Sequence, residues 1–485
     1  MYSLLPVLSV FSRILLAFSV AFLVPLAWAW FLDDRNTAIW AVSFTVSSAS
    51  GLGLLLATHR YRRELMAKDG FLLVNLVWVV LPAYSALPLM HTVPDITWTK
   101  AYFEAMSALT ATGATALTGL DDLPVSVNIW RCFLQLIGGL GIMLLVVAVL
   151  PLLGLGGVQL YRAETPGPMK DTKFTPRIAE TARGLWGVYF LFSAACLLAY
   201  RWAGMDWADA FMHMCTTMGL GGFSSHDASI GYFESPAIEW VAVVFMSLAG
   251  ISFMRYFIVL RSRSLQPITH DREIRTYFAV LVASIALIAV LLAAQGVYDH
   301  FPDALRASAF HVLSLATTTG YSATDYSLWP VFAPVLLMFL GCFVSCAGST
   351  GGGIKMVRMI LLVKQARREL VRIIHPRVVN PVTLGGGVMP MSVMTAVLGF
   401  MLIYGAATIG LAMLLLFTGM DIVTAFTAVV ATVNNIGPGL GEVGPAGNFG
   451  GLHPFQIWVL SFAMLLGRLE LLTVLVLFTS RFWKK

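Results

Sequence analysis

The sequence predicts an all-α polytopic membrane protein with four repeats of helix, re-entrant loop and helix around one axis, preceded by two extra N-terminal helices. Three observations predict this class: an apolar composition, ten apolar stretches of spanning length, and a fourfold internal repeat. Hydrophobic residues make up 58% of the 485 residues and charged residues only 12%, whereas soluble domains carry about 25% charged residues. The composition therefore excludes the soluble classes.

The ten apolar stretches are each long enough to cross a hydrocarbon core of roughly 30 Å. They run approximately over 3–32, 37–58, 71–90, 129–158, 184–200, 236–260, 276–298, 328–363, 386–417 and 455–480. The first is too long for a secretory signal, contains Arg13 and lacks a clear cleavage site, so we expect it to be a retained helix. An even number of spans places both termini on one side of the membrane.

Lys and Arg are concentrated in alternate loops, with 24 of the 31 in 60–68, 162–183, 255–275, 355–377 and 481–485. Basic residues stay on the cytoplasmic side, so these loops and both termini are predicted to be cytoplasmic. The opposite loops are acidic, and their field would concentrate cations at an outer vestibule. The basic loops would also suit a nucleic acid, but the positive-inside bias already explains them, and no nucleic-acid partner is predicted.

The fourfold repeat lies in four segments that are too short to cross the membrane and too apolar to be ordinary loops. The second and fourth segments share seven identical residues at a constant offset of 215, and the first and third share four at an offset of 207. Each segment runs from an acidic start through an apolar half-helix to an end rich in Thr and Gly, and a full span flanks it on either side.

These flanking spans define the predicted organisation of the chain. A two-helix extension covers 1–69, and four pore repeats cover 70–162, 178–264, 272–372 and 385–485. Non-helical backbone at membrane depth is tolerated only where protein buries it or where it lines a watery cavity. The four re-entrant segments are therefore expected to surround one central pore.

The segments end in Thr112-Gly113-Ala114, Gly221-Gly222-Phe223, Thr319-Gly320-Tyr321 and Ile436-Gly437-Pro438. Four strands of carbonyl oxygens around an axis can replace the hydration shell of a potassium ion, and glycine suits such strands because it adopts positive φ. An acidic residue is expected to cap each half-helix, whose C-terminal end would direct partial negative charge at the pore. The alternative is that these glycines only allow close helix packing.

The four repeats, these endings and the run from Ala347 to Lys355 resemble the Trk/Ktr/HKT superfamily of potassium transporters. The two extra N-terminal spans make the bacterial Trk type the most similar. The resemblance implies potassium uptake across the bacterial inner membrane by a multi-pass protein that is not an enzyme and holds no organic cofactor. It also implies a homodimer and a cytoplasmic nucleotide-binding regulatory ring.

The resemblance further implies that Gly113, Gly222, Gly320 and Gly437 are filter glycines. In plant relatives a serine at the first of these accompanies sodium permeation, so Gly113 favours potassium. The residues expected to contact the ion are Thr112, Gly113, Leu220, Gly221, Gly222, Thr318, Thr319, Gly320, Asn435, Ile436 and Gly437.

The second span of the third repeat is interrupted between Gly341 and Gly353, whereas its three counterparts stay apolar, so we expect a helix break in the third repeat alone. In the family this break is an intramembrane loop that gates the pore. The expected gate residues are Gly348, Ser349, Thr350, Gly351, Gly352, Gly353, Lys355 and Arg468. A phosphate-binding loop is rejected because Ile354 precedes the lysine, no Ser or Thr follows it, and no strand comes before the run.

Arg468 lies in an apolar stretch, where an unpaired charge costs several kcal/mol and therefore faces a cavity or a partner. It has two interpretations, a structural ion pair with an acidic group of a neighbouring span or a barrier beside the pore. Glu470 is near in sequence but would point elsewhere on a helix. Glu104, His213 and His311 lie in the half-helices and are expected to be hydrogen-bonded behind the filter.

Two other function classes compete with a potassium pore. A secondary transporter for a small solute also uses broken helices, but normally in paired halves rather than in a fourfold motif. A membrane enzyme would need converging His, Asp or Glu side chains inside the spans, and the sequence has no such set. The sequence leaves open passive flux and proton- or sodium-coupled flux, the degree of sodium exclusion, and the nucleotide of the regulatory ring.

Overall fold

The fold was analysed in a computed structural model, which describes residues 4–61, 63, 65–144 and 175–484. In these ranges seven helices are long and apolar enough to cross a bilayer, and the number rises to nine if each of two bent pairs is one span. The predicted span over 129–158 and the predicted basic loop over 162–183 lie partly outside the described residues.

The first part of the chain is helical throughout. The N-terminal extension contains α1 (Leu5–Ser19), a 3-10 turn (Val20–Phe22), α2 (Leu23–Leu32) and α3 (Thr37–Thr58). The next unit contains α4 (Ala67–Thr92), the short α5 (Trp98–Leu109), a 3-10 turn (Leu120–Asp122) and α6 (Val125–Leu144). Stacking of Phe22 on Trp130, with ring centroids 4.4 Å apart, joins the extension to α6.

Three further units follow with the same order of elements. The second unit contains α7 (Thr175–Trp202), α8 (Trp207–Gly219), a 3-10 turn (Ser229–Phe233), α9 (Pro236–Ala249) and α10 (Phe253–Ser262). After the short α11 (Gln266–Thr269), the third contains α12 (Arg272–Ala294), α13 (Phe301–Ala316), a 3-10 turn (Tyr326–Leu328), α14 (Phe332–Phe343) and α15 (Met356–Ile374).

The last unit begins with a small antiparallel hairpin, β1 (Thr383–Leu384) and β2 (Gly387–Val388), in which Thr383 pairs with Val388. It continues through α16 (Met391–Phe417), α17 (Ile422–Val433), two 3-10 turns (Gly441–Val443 and Phe449–Gly451) and α18 (Pro454–Arg468). It ends with α19 (Leu472–Leu475), a 3-10 turn (Val476–Phe478) and α20 (Ser480–Trp483).

The short helices α5, α8, α13 and α17, here called the pore helices, lie inside the molecule. Every residue of α5 from Ala101 to Leu109 is buried. The outer helices instead expose large apolar side chains, such as Leu56 on α3 and Leu402 on α16. An apolar exterior around a buried, partly polar centre suits a protein whose surrounding solvent is lipid.

Helix breaks occur in three units rather than in one. The third unit breaks between Phe343 and Met356, as expected. However, α9 and α10 also meet at 81°, and α18 meets the helical segment after it at 108°. The expectation of a single break is therefore wrong. In the second unit Gly250 and Ser252 flank the bend, and the freed backbone groups find partners in the loop of the third unit, as shown below.

The capping prediction holds for two of the four pore helices. The carboxylates of Asp206 and Asp421 accept a backbone N–H at the starts of α8 and α17. The hydroxyl of Thr97 caps α5 instead, and α13 follows His300 without a side-chain cap, so the prediction is wrong there. A proline in the first turn of α13 removes one of the N–H groups that a cap would satisfy.

Candidate ion pathway

Each pore helix runs into the same irregular backbone, here called a pore-loop strand (110–114, 219–223, 317–321 and 434–438). The residue two positions before the predicted filter glycine has positive φ in all four strands: Ala111 (49°), Leu220 (50°), Thr318 (63°) and Asn435 (54°). The glycine itself also has positive φ: Gly113 (83°), Gly222 (73°), Gly320 (87°) and Gly437 (104°). Left-handed residues at alternate positions give the carbonyl groups of a strand orientations that they do not have in an α-helix or a β-strand.

The four glycines form a closed ring of neighbours. A Cβ built on Gly113 would overlap the carbonyl oxygen of Gly221, and one on Gly222 would overlap that of Thr319. The circuit continues because a Cβ on Gly320 would overlap Ile436 O. It closes because a Cβ on Gly437 would lie 2.8 Å from Thr112 O. We call Gly113, Gly222, Gly320 and Gly437 the glycine ring. All eleven residues expected to contact the ion lie in these four strands.

Side chains link the strands around the ring. The Nδ2 of Asn435 donates to the hydroxyl of Thr112 at 2.9 Å, which joins the fourth strand to the first. The hydroxyl of Tyr321 in the third strand contacts Thr217 at the end of α8, at 3.0 Å. Gln135 on α6 donates from Nε2 to Gly221 O at 2.8 Å, which leaves that carbonyl one lone pair for another partner.

Glu104, His213 and His311 on the pore helices are hydrogen-bonded behind the strands, as expected. Both oxygens of Glu104 contact the hydroxyl of Thr115, at 3.0 and 3.2 Å. The Nδ1 atoms of His213 and His311 lie 2.8 Å from backbone carbonyl oxygens of their own helices, at Asp209 and Ala307 respectively. All three side chains are fully buried.

A cavity opens at the end of the strands that is remote from the pore-helix termini. Its lining includes Gly113, Gly222 and Gly320 of the ring, together with Pro438 beside the fourth glycine. We call this cavity the mouth. The loops around it include acidic residues, so the mouth faces the acidic side of the molecule.

His226 lies in the lining of the mouth between two carboxylates. Its Nδ1 contacts Asp121, and its Nε2 lies 3.4 Å from Oδ2 of Asp209. The Tyr232 ring stacks on the imidazole with centroids 3.5 Å apart. Burial alone would lower the pKa of His226, but hydrogen bonds to the Asp209 and Asp121 carboxylates outweigh it, and the pKa is raised.

The opposite end of the strands is covered by residues 344–355, here called the intramembrane loop. Thr350 donates from its hydroxyl to Met218 O at 3.0 Å, and the amide of Gly352 donates to the hydroxyl of Thr318 at 2.7 Å. A Cβ on Gly351 would lie 2.7 Å from Thr317 O, so only glycine fits there without displacement. The loop therefore lies directly against the ends of α8 and α13.

Two neighbours fix the ends of this loop. The bend between α9 and α10 pairs with it, since Cys346 N donates to Gly250 O at 3.1 Å and Phe253 N donates to Gly348 O at 3.1 Å. Glu273 at the start of α12 accepts the N–H of Ala347 at 2.8 Å and that of Val357 at 3.2 Å. One carboxylate thus holds the chain on both sides of the loop.

Arg468 lies against the intramembrane loop. Its guanidinium donates to Thr350 O at 2.9 Å and to Gly138 O at 2.8 Å, and the side chain is 3% exposed. No carboxylate among the described residues pairs with it, so the ion-pair interpretation is wrong within those ranges. Glu470, beyond the break in the helix, pairs with Arg358 at 2.6 Å instead.

Lys355 also belongs to this assembly. Its Nζ donates to the carbonyl of Gly351, within the loop itself. The predicted gate residues 348–353, Lys355 and Arg468 therefore lie together at one end of the strands, with Arg468 bridging the loop to α6.

Several residues contribute to this pathway that the sequence did not predict, above all Arg131, Gln135 and Glu273. Arg131 could have been found by the criterion applied to Arg468, because it is a charge within an apolar helix. Gln135 and Glu273 carry no comparable signal, since their roles depend on which backbone groups the fold brings near them.

Comparisons with known proteins agree with this architecture. Residues 38–485 match the family model TrkH, described as a cation transport protein. The chain is 43% identical to the Trk system potassium uptake protein TrkH of Vibrio parahaemolyticus over 481 residues, which covers 99% of each chain. It is 36% identical to the Trk system potassium uptake protein TrkG of Escherichia coli K12, over 96% of each.

A solved structure is also similar. The crystal structure of the potassium transporter TrkH from Vibrio parahaemolyticus matches with a TM-score of 0.93 and 40% identity, over 100% of both chains. The predicted family and the predicted all-α polytopic membrane fold are thereby confirmed. The family model, the relatives and the solved structure each match nearly the whole length of the chain. This chain therefore belongs to the TrkH family of cation transport proteins.

Proposed function

We propose that this chain takes up potassium across a bacterial inner membrane through the glycine ring, with the mouth outside and the intramembrane loop toward the cytoplasm. The observation that carries the proposal is the ring itself, in which each glycine adopts positive φ and lies against a carbonyl of the next strand. Backbone oxygens packed around an axis can replace the water that a potassium ion sheds. The names of the similar proteins, which are potassium uptake proteins, support the choice of ion.

The proposed closed state rests on the intramembrane loop and Arg468. A fully buried guanidinium at the cytoplasmic end of the strands would repel a cation that leaves the ring. The loop lacks the hydrogen-bond ladder of a helix, so it can exchange between arrangements at modest cost. Opening would then require the loop to move away from the ends of α8 and α13, and the side chain of Arg468 to move together with the loop.

The proposed partners are a second copy of this chain and a cytoplasmic nucleotide-binding regulatory ring. The basic residues of α15 and of the chain after it provide a positively charged surface beside the loop: Lys364, Arg367, Arg368, Arg372 and Arg377. A regulator docked on α15 could pull on the intramembrane loop directly, because α15 begins where the loop ends.

The test is the ion dependence of uptake by the purified chain in sealed vesicles. With an outward potassium gradient, tracer rubidium should accumulate, and external potassium should compete far better than external sodium. A matched preparation of vesicles without protein gives the leak. Equal competition by sodium and potassium would contradict a potassium filter, and uptake that ignores both cations would contradict cation transport.

A further inference from the structure

One position recurs in all four pore helices, nine residues before the ring glycine: Glu104, His213, His311 and Ala428. In the first and third repeats its side chain accepts the N–H of the residue three positions after the glycine. Glu104 Oε2 accepts from Ala116 N at 2.9 Å, and His311 Nε2 accepts from Ala323 N at 3.3 Å. The position therefore holds the chain just after the pore-loop strand to its own pore helix.

The other two repeats achieve the same hold in different ways. In the second, His213 Nε2 lies 3.0 Å from the hydroxyl of Ser224, two residues after the ring glycine. In the fourth, Ala428 has no polar group, and the adjacent Thr427 accepts the N–H of Leu440 at 2.9 Å. Every strand is thus braced from behind, but only the first brace carries a full charge.

The charge of the first brace is balanced by Arg131, which is 1% exposed. The Nε of Arg131 donates to Glu104 Oε1 at 2.8 Å, and a terminal nitrogen lies 2.7 Å from the same oxygen. The guanidinium also donates to Ser224 O at 3.2 Å, and its Cζ lies 4.4 Å from the centroid of the Phe223 ring. Arg131 therefore reaches from the first strand to the second.

This arrangement has an electrostatic consequence for the mouth, because Arg131 is part of its lining. A guanidinium beside a cation pathway opposes cation entry unless a carboxylate neutralises it. Breaking a buried pair by removing one partner leaves an uncompensated buried charge, which is strongly unfavourable. Glu104 therefore both neutralises the mouth and keeps Arg131 bound to the second strand.

We propose that Glu104 and Arg131 are a positioning pair that sets how well the glycine ring discriminates potassium from sodium, by fixing the first and second strands to each other. The inference rests on the proposed function. The smaller sodium ion needs carbonyls that move inward, so strands held from behind disfavour it, and a freed strand would admit it more readily.

The test compares two substitutions in the brace with one matched control, each reconstituted in vesicles and assayed for potassium and sodium uptake. Glu104→Gln removes the charge and replaces one of the two acceptor oxygens with an NH2 donor, so Arg131 and Ala116 N can no longer both be satisfied. Thr115→Val removes only the hydroxyl that lies between Glu104 and Arg131. The control, Glu239→Gln, disrupts another Glu–Arg pair, formed with Arg306 at 3.1 Å. Arg306 lies in the N-terminal half of α13. In the described part of the chain, the ion pairs of Glu239 and Arg306 do not involve a pore-loop strand.

Glu104→Gln should lower the potassium-over-sodium ratio about tenfold, which corresponds to ~1.4 kcal/mol. Thr115→Val should lower it roughly fivefold, the effect of about one hydrogen bond, and Glu239→Gln should leave it at the parental value. A purely structural role would reduce the number of active molecules and both fluxes equally, without changing the ratio. If Glu104→Gln does not fold, Thr115→Val decides the matter.

A parental ratio in the folded brace variants would overturn the inference while leaving potassium uptake by the parent intact. The same ratio change in Glu239→Gln would also overturn it, because any lost ion pair would then suffice. If the parent itself takes up neither ion, the proposed function fails, and the inference fails with it.

Discussion

At the scale of single residues, the glycine ring depends on two features that only glycine combines. Its φ values are positive, and the place where a Cβ would stand is already occupied by the backbone of the next strand. Either feature alone would disfavour a side chain. Together they make each ring position sensitive to the smallest substitution, and the first is the position at which the resemblance links serine to sodium permeation.

We predict that Gly113→Ser raises sodium permeation relative to potassium, by roughly tenfold in the ratio of the two. The added Cβ would overlap Gly221 O, so the first and second strands must separate. The permeability ratio of the two ions, obtained from reversal potentials in planar bilayers, measures the change. Gly187→Ser is the control, because a Cβ there has nothing within 4 Å. An unchanged ion preference in a folded Gly113→Ser protein would remove Gly113 from the filter.

A second residue-scale prediction concerns His226, whose raised pKa reflects its two carboxylate neighbours. The folded pKa lies above the unfolded value, so this group contributes stability that is fully present below the unfolded pKa. That stability is lost as pH rises through the folded pKa. The melting temperature of the purified parent should therefore fall more between about pH 6 and about pH 9 than that of His226→Gln.

The control for this measurement is His375→Gln, which changes an exposed histidine on the basic side. It should follow the parental pH dependence. A His226→Gln protein with the same pH dependence as the parent would show that Asp121 and Asp209 do not hold the imidazolium in the mouth.

At the scale of elements, the intramembrane loop is held by neighbouring elements in addition to a few hydrogen bonds of its own, and it has no helical hydrogen-bond ladder. Thr350 and Gly352 bind the ends of pore helices, Arg468 binds the carbonyl of Thr350, and Glu273 holds both ends of the loop. These contacts come from the second, third and fourth units of the fold. The loop is thus the element through which a change in one unit can reach the pore.

We predict that deleting Ser349 to Gly352 raises potassium flux several-fold in vesicles that lack any partner, because the shortened loop cannot reach Met218 and Thr318. Deleting Gly385 and Gly386, the exposed turn of the hairpin, is the control for loss of two glycines elsewhere. Unchanged flux from a correctly inserted loop deletion would leave Arg468 as the better candidate for the barrier.

Glu273→Gln offers a milder version of the same experiment. The amide keeps the shape of the carboxylate but is a weaker acceptor for the N–H groups of Ala347 and Val357, so the loop should leave its closed position more often. We predict an increase in partner-independent flux that is smaller than that of the deletion. A decrease would mean that Glu273 supports the open state instead.

Elements also show what a sequence can and cannot predict here. The break after Phe343 was visible because six residues from Gly348 to Gly353 contain four glycines. The bends at residues 250–252 and 469–471 were not visible, because each stretch contains a single glycine, Gly250 or Gly467, in place of a run of glycines. Their backbone groups are satisfied by tertiary partners, and such partners leave no local pattern.

The candidate ion pathway likewise contains features that the sequence predicts and features that it does not. The ring glycines could be located from the register of the four segments, since the repeat itself carries the information. The sequence also predicts that Glu104, His213 and His311 are hydrogen-bonded behind the filter. Their partners could not be predicted, because Glu104 pairs with Arg131 from α6 and His213 contacts Ser224 in the loop after its own helix. Spacing along the chain predicts which residues are equivalent, whereas the contacts between units depend on how the units are arranged.

At the scale of the whole molecule, the four units surround the pore-loop strands, with the mouth at one end of the strands and the intramembrane loop at the other. The acidic loops around the mouth and the basic residues beyond the loop give the two ends opposite charge. Cations would be concentrated at the mouth and held back at the other end by Arg468. Cation passage along this shared axis therefore requires an ion site inside the glycine ring.

The most direct test is a crystal structure of the purified protein in which rubidium replaces potassium, with anomalous scattering used to locate the ion. We predict an anomalous peak enclosed by Gly113, Gly222, Gly320 and Gly437, which weakens when sodium replaces rubidium in the crystals. A ring without a peak, combined with ordered rubidium between other helices, would contradict it.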